Sequence, residues 1–397
     1  MSLNLHISLS VEQRMLHDSV SRYLEKAYGF QDRQRMVASG AEFDAAKWQD
    51  FADMGWLGLP LPAAYGGAGG NALDLLVLMQ GFGRALVVEP YLGSVVLCGM
   101  TVAKAGTPAQ RDRILSALAS GQQRMAYACA EPHADYDLLD VRTLANKDGD
   151  EFVLDGEKSV VLGAGCAQLL LVSARTAGPM NDRAGLSLFL VDRSAPGVSL
   201  RSYATIDGRR AAEVSLRQVR VGSKDVLGPL HGAAPLLEYA QTMGTIALLG
   251  EAVGCLEGAL AHTVQYHKDR IQFGKPLSHY QALRHRVADL YVATEETRAL
   301  CMLAAHAWAD NEPDAQRAVA GAKAWVGSVG RRAAEDAVQL HGAIAITDEY
   351  AVGHYLKRIV AIDRSFGDSS EALDRYHALS SPLQEPNEVP GATALES

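Results

Sequence analysis

Arg270, Phe273, Gly274 and Pro276 stand together in the stretch Arg270-Ile271-Gln272-Phe273-Gly274-Lys275-Pro276-Leu277. A guanidinium is a planar cation that clamps an anion through two parallel hydrogen bonds. The stretch closes a helix whose stripe runs through Leu249, Ala252, Val253, Leu256, Ala259, Leu260, Thr263, Val264 and His267, at spacings of three and four. Gly274 and Pro276 stop that helix. On local chemistry alone the stretch is a helix stop with a solvated arginine. A binding role for it needs support from the rest of the chain.

Other residue groupings are weaker. His133, Asp135 and Asp137 alternate as metal ligands can, but a polar loop explains them better. Gly163-Ala164-Gly165 follows an apolar run, which imitates the start of a dinucleotide-binding turn. That turn needs a small residue at its sixth position and a helix next. Here Gln168 holds the sixth position and a strand-like run follows, so a Rossmann fold is not expected. Cys98, Cys129, Cys166, Cys255 and Cys301 are far apart and odd in number, which suits reduced buried thiols in a cytoplasmic protein.

With 397 residues the chain exceeds one ordinary core, and a formal charge of −9 argues against a nucleic-acid surface. No uninterrupted apolar run reaches the ~20 residues of a membrane span, and Met1 to Ser10 do not read as a secretion signal. Residues 1–123 read as a helical domain. Asp44 caps one helix, Asn71 caps Ala72 to Leu86, and Thr107 to Ala119 forms another. Residues 124–230 alternate polar and apolar side chains and turn on Gly and Asp, as an antiparallel β domain does. Asp148-Gly149-Asp150 marks a hairpin tip, and Glu151 to Leu162 reads as strand, turn, strand. Residues 231–380 contain long helical runs joined by short loops, which predicts a four-helix bundle. Residues 381–397 carry three prolines and no apolar period, the signature of a disordered tail. The fold class is thus α+β, with the β domain between two helical ones.

In that order the chain resembles the acyl-CoA dehydrogenase family, along nearly its whole length. Pro62-Ala63-Ala64-Tyr65-Gly66-Gly67 is similar to the family's Pro-Glu-Glu-Tyr-Gly-Gly loop. Ala130-Glu131-Pro132 is similar to Thr-Glu-Pro, and Leu154-Asp155-Gly156-Glu157-Lys158 to Leu-Asn-Gly-Xaa-Lys. Arg270 to Pro276 resembles Arg-x-x-Phe-Gly, and Gln339-Leu340-His341-Gly342-Ala343 resembles Gln-x-His-Gly-Gly. Gly83 to Pro90 and Phe366-Gly367-Asp368 resemble the branch acting on steroid side-chain or pimeloyl-type CoA thioesters. The resemblance implies FAD, an acyl-CoA substrate, an electron-transfer flavoprotein acceptor and an oligomer. It implies that Arg270 meets the pyrophosphate and Phe273 packs by the adenosine half. Gln339 and Gly342 then approach the cofactor from a partner subunit.

The reaction so implied removes an α proton and passes a β hydride to the flavin, so a carboxylate base must reach the α carbon. The two places where the family carries that glutamate fall on Phe366 and Gly244. Three readings follow. Asp368 supplies the base, or instead caps its loop. Glu251, set among Leu248, Leu249, Ala252 and Val253, supplies it with a pKa raised by burial, or is a satisfied bundle residue. Otherwise the chain is a non-catalytic or half-catalytic member of a mixed oligomer, and its partner brings the base. The Phe366 N–H remains able to donate to a thioester oxygen. Ala130, Tyr136 and Val160 replace a threonine, a serine and a tryptophan that meet the flavin in the family. Flavin monooxygenases on the same fold also lack the glutamate and are a further alternative.

Overall fold

The computed structural model describes residues 9–180 and 182–380, so the expected tail from 381 lies outside them. The first helices are α1 (Val11–Ala27), α2 (Phe30–Ala38), α3 (Ala45–Asp53) and α4 (Ala72–Ala85). A π-helical stretch, Leu92–Gly99, runs into α5 (Met100–Ala105), and α6 (Pro108–Ala119) follows. The caps predicted at Asp44 and Asn71 form, and Thr107, expected inside its helix, caps it. Asp44 accepts from Ala46 and Lys47, and Asn71 and Thr107 close reciprocal boxes with Asp74 and Gln110.

Eight strands come next: β1 (Met125–Ala128), β2 (Leu144–Asp148), β3 (Glu151–Leu162), β4 (Leu169–Arg175), β5 (Leu186–Asp192), β6 (Val198–Ala204), β7 (Arg210–Gly222) and β8 (Val226–Leu227). Their order is β6-β7-β3-β2-β4-β5-β8, with β1 also on β4. Most neighbours are antiparallel, but β1 and β2 both run parallel to β4. β2 and β3 form the hairpin expected at Gly149. Glu151–Leu162 is one strand, not two. Gly156 makes a bulge there and presses on Thr143, where an added Cβ would lie 2.3 Å from Oγ1.

The last domain is built on α7 (Ala234–Asp269). A short hairpin of β9 (Ile271–Gln272) and β10 (Lys275–Pro276) leads to α8 (Gln281–Ala309). Then come α9 (Ala315–Trp325), a π-helical turn Val326–Gly330, α10 (Arg331–His341), α11 (Ala351–Asp363) and α12 (Ser369–Leu379). By length and composition α7 is apolar enough to cross a membrane, but 89% of its most apolar window is buried inside the protein. It is apolar on all sides because it is packed on all sides. Gly83 of α4 and Gly250 and Gly254 of α7 let those two backbones touch, since a Cβ on any of them would overlap a carbonyl oxygen.

Five charged residues join the domains. Arg358 of α11 makes a two-bond pair with Glu251 of α7, at 2.8 and 2.7 Å, and reaches Asp207 between β6 and β7 at 2.7 Å. Arg209 adds a 2.5 Å contact to Glu251, and Arg33 of α2 donates to the carbonyls of Leu86 and Asp207. This network sets the β domain against both helical domains, so it fixes the cleft between them.

Candidate active site

Two cavities meet where the β domain faces the bundle. The larger, about 650 Å³, is lined by Leu237, Gln241, Thr245, Val319, Lys323 and Phe366, among others. The smaller, about 250 Å³, is a slot between Tyr127, Ala130 and Val160 on the sheet side and Leu97, Arg364 and Phe366 on the helical side. Tyr136, Leu138 and Phe366 line both, so they form the wall between.

Phe366 sits in the loop between α11 and α12 with a φ of 59°, in the left-handed region. Its ring occupies the space over Gly244. A Cβ on Gly244 would lie 2.8 Å from Phe366 Cε2 and 2.7 Å from a Leu97 methyl. The two positions that fall where the family carries its glutamate are thus in contact, and the aromatic ring fills the space at both. The Phe366 carbonyl accepts a 3.3 Å bond from Gln241, while its N–H finds no acceptor among the described residues.

Both carboxylate candidates have partners within the chain. Asp368 is the N-cap of α12; its Oδ1 accepts from Ser370 and Glu371, and its Oδ2 meets Arg364 at 2.9 Å. Glu251 is fully buried, and both oxygens are held by Arg358, one of them also by Arg209. Burial alone would raise its pKa, but the two guanidinium groups outweigh it and hold the carboxyl below its ordinary value. Its oxygens are thus taken up by the network that joins the domains. Of the carboxylates lining the cavities, Glu238 and Glu371 pair with Arg183 and Arg375, and Asp137 folds onto its own turn. Asp135 lines the slot from an exposed loop. No group of three or more potential metal ligands occurs among the described residues, so His133, Asp135 and Asp137 form no such site.

The slot suits a flavin ring. It is largely apolar, and its size fits a fused ring system and not a whole dinucleotide. Tyr127 lines the slot, and its buried hydroxyl lies near Cys98 and Cys129. Val160 lies over the slot with a φ of 52°, a strained value for a β-branched residue. Beneath it, the motif residues Glu131 and Lys158 form a buried pair at 2.5 Å, and Glu131 also accepts from the backbone of Arg142 and Thr143. Burial pushes the Glu131 pKa up, but Lys158 and these bonds more than reverse it. The motif's conspicuous charges therefore hold the loop together, and Tyr127, which stood out in no motif, brings a buried hydroxyl to the residues that line the slot.

Arg270, Phe273, Gln339 and Gly342 lie at the far end of α7. His267 donates to the Leu340 carbonyl at 3.0 Å, and Tyr266 packs on His341 at 4.6 Å, so the ends of α7 and α10 are neighbours. All four residues are exposed on the single chain, Phe273 by 93%. The Arg270 side chain has no hydrogen-bond or ion-pair partner among the described residues. Gly342 has φ 70° and ψ −149°, a conformation nearly confined to glycine. A cation without a counter-ion beside such a backbone is suited to a diphosphate.

Comparison with known proteins agrees with this geometry. The acyl-CoA dehydrogenase N-terminal, middle and C-terminal domains match residues 10–122, 126–219 and 237–371. The chain is 29% identical to "Probable acyl-CoA dehydrogenase YngJ" of Bacillus subtilis, over 89% of this chain and 93% of the relative. It is 32% identical to a chain of a solved variant of the Tcur3481-Tcur3483 steroid ACAD, with a TM-score of 0.82 over 93% of this chain and 97% of that one. A chain in a structure of the electron transferring flavoprotein of Acidaminococcus fermentans is 25% identical, with a TM-score of 0.88 over 97% and 100%. With all three domains matched and a flavin-sized slot between them, this chain belongs to the acyl-CoA dehydrogenase family, oxidoreductases that use FAD to dehydrogenate the α,β CH–CH bond of an acyl-CoA.

Proposed function

We propose that this chain takes part in acyl-CoA dehydrogenation as the subunit without a base, in a mixed oligomer whose companion supplies the carboxylate. The observation that carries this is the Phe366 ring seated on Gly244, which leaves no free buried carboxylate beside the cavity wall among the described residues. The Tcur3481-Tcur3483 steroid ACAD, named for two components, supports it by its 32% identity. FAD, when bound, supplies the hydride acceptor. Tyr127 would meet it in the slot, and Arg270, Phe273, Gln339 and Gly342 would meet its outer half across a subunit boundary. The Phe366 N–H would donate to the thioester oxygen, while its ring, with Tyr136 and Leu138, screens the slot from the larger cavity.

The larger cavity, at about 650 Å³, has room for a bulky acyl group of the steroid or dicarboxylic type. Electrons would then leave to an electron-transfer flavoprotein. The test is to purify the chain alone and together with a companion that carries a glutamate at the Phe366 position. Only the pair should bleach its flavin with an acyl-CoA. Equal bleaching by the chain alone would overturn the proposal. Oxygen uptake by reduced flavin without any thioester would turn the reading toward monooxygenase chemistry.

A further inference from the structure

Lys323 has no place in the chemistry so far, yet it is 2% exposed and lines the larger cavity. Its Nζ donates to the carbonyl of Asp363, at 2.8 Å, and to that of Gly367. These two carbonyls bracket the loop that carries Phe366. Asp363 is the last residue of α11, so one bond is a cap on a helix C-terminus, where a cation is favoured. No carboxylate lies within ion-pair distance of Nζ among the described residues. Gly327, one turn further along, clears the way: a Cβ there would lie 2.0 Å from Asp363 Oδ1, which accepts from Ser369 N at 3.0 Å. Between the two tethered ends the backbone turns through φ 59° at Phe366 and 105° at Gly367. A left-handed phenylalanine persists only where its surroundings hold it.

We propose that Lys323 is a positioning residue: its ammonium ties both ends of the 363–367 loop and so aims the Phe366 N–H at the thioester oxygen. The proposal rests on the acyl-CoA reading above and adds the group that holds the donor in place. It also makes thioester recognition sensitive to pH. Burial lowers the Lys323 pKa to about 8, against the attraction of Asp363 and Asp368 and with the repulsion of Arg375 and Arg364. Other charges near the loop are Arg331, 4.0 Å from Asp363, Glu371, paired with Arg375, and, on the walls of the shared cavity, Asp137, Arg183 and Glu238. A neutral amine keeps two N–H groups but loses charge assistance, which roughly halves each bond. A lysine whose pKa falls on folding makes the fold more stable as pH rises above the folded value. Loss of thioester binding in that range is therefore separable from unfolding.

The test compares butyryl-CoA with its thioether S-butyl-CoA, which lacks the carbonyl, on the full-length chain with its companion. Binding is measured by calorimetry at about pH 7 and about pH 9, on either side of the lowered pKa. The wild type should prefer the thioester roughly fivefold at the lower pH, the worth of one hydrogen bond, and less at the higher. Lys323→Met should lose the preference while binding the thioether as before. Lys323→Arg, charged throughout, should keep it at both pH values. If Lys323→Met does not fold, the higher-pH comparison of Lys323→Arg with wild type decides. A preference retained in Lys323→Met, or equal weakening of both ligands, overturns the positioning role. A wild type that binds neither ligand overturns the acyl-CoA reading itself.

Discussion

Phe366 and Gly244 act as one unit. The ring needs the missing Cβ, and the missing Cβ leaves a gap that only a ring fills. Gly244→Ala would push a methyl to 2.8 Å from Phe366 Cε2, overpacking worth about 1–3 kcal/mol. Trimming the ring in the same chain should return much of that loss, so Gly244→Ala with Phe366→Ala should cost less than the sum of the two. Urea unfolding of the four proteins measures it; strict additivity would separate the two residues. Phe366→Glu is the functional counterpart. It sets a carboxylate at the junction of the two cavities, where burial raises its pKa toward that of a useful base. Flavin reduction by an acyl-CoA should then appear in the chain alone, and its absence with flavin still bound would place the missing component elsewhere.

At the scale of elements, a buried network of charges holds the domains together. Removing one member of the Glu251–Arg358–Asp207 network strands buried charge, so Glu251→Gln should cost about 3–5 kcal/mol. Asp207 gives the network a pH signature. Burial would raise its pKa, but Arg358 and Arg209 bring it from 3.8 down to about 2. A carboxylate depressed on folding contributes stability above its unfolded pKa and loses it as pH falls through the folded one. Asp207→Asn should therefore flatten the fall in stability between about pH 4 and pH 2, as read from urea midpoints. Helix limits were legible because caps are local: Asn71 and Asp44 announce them. β3 was not, since Gly156 reads equally as a turn or as a bulge, and only the Thr143 side chain across the strand decides. The partners of Glu251 were not legible for the same reason, because its two arginines lie 42 and 107 residues away in the chain.

For the whole molecule, the order of helical, strand and helical regions made the architecture readable, but a single chain cannot display the cofactor site proposed to be shared between subunits. Arg270 has no counter-ion among the described residues, and Phe273 holds a left-handed backbone angle of 52° with its ring 93% exposed. An aromatic ring so placed loses apolar contact with nothing gained unless another surface covers it. Ile271 and Ile346, 60% and 79% exposed, extend the same apolar character near the ends of α7 and α10. The two kinds of residue should fail differently. Phe273→Ser removes apolar area and should lower the oligomer's mass in solution, as measured by sedimentation. Arg270→Ala removes the anion clamp and should lower flavin content while the mass holds. If Arg270→Ala keeps its flavin, the cation grips no diphosphate, and the cofactor's outer half must be held by other residues.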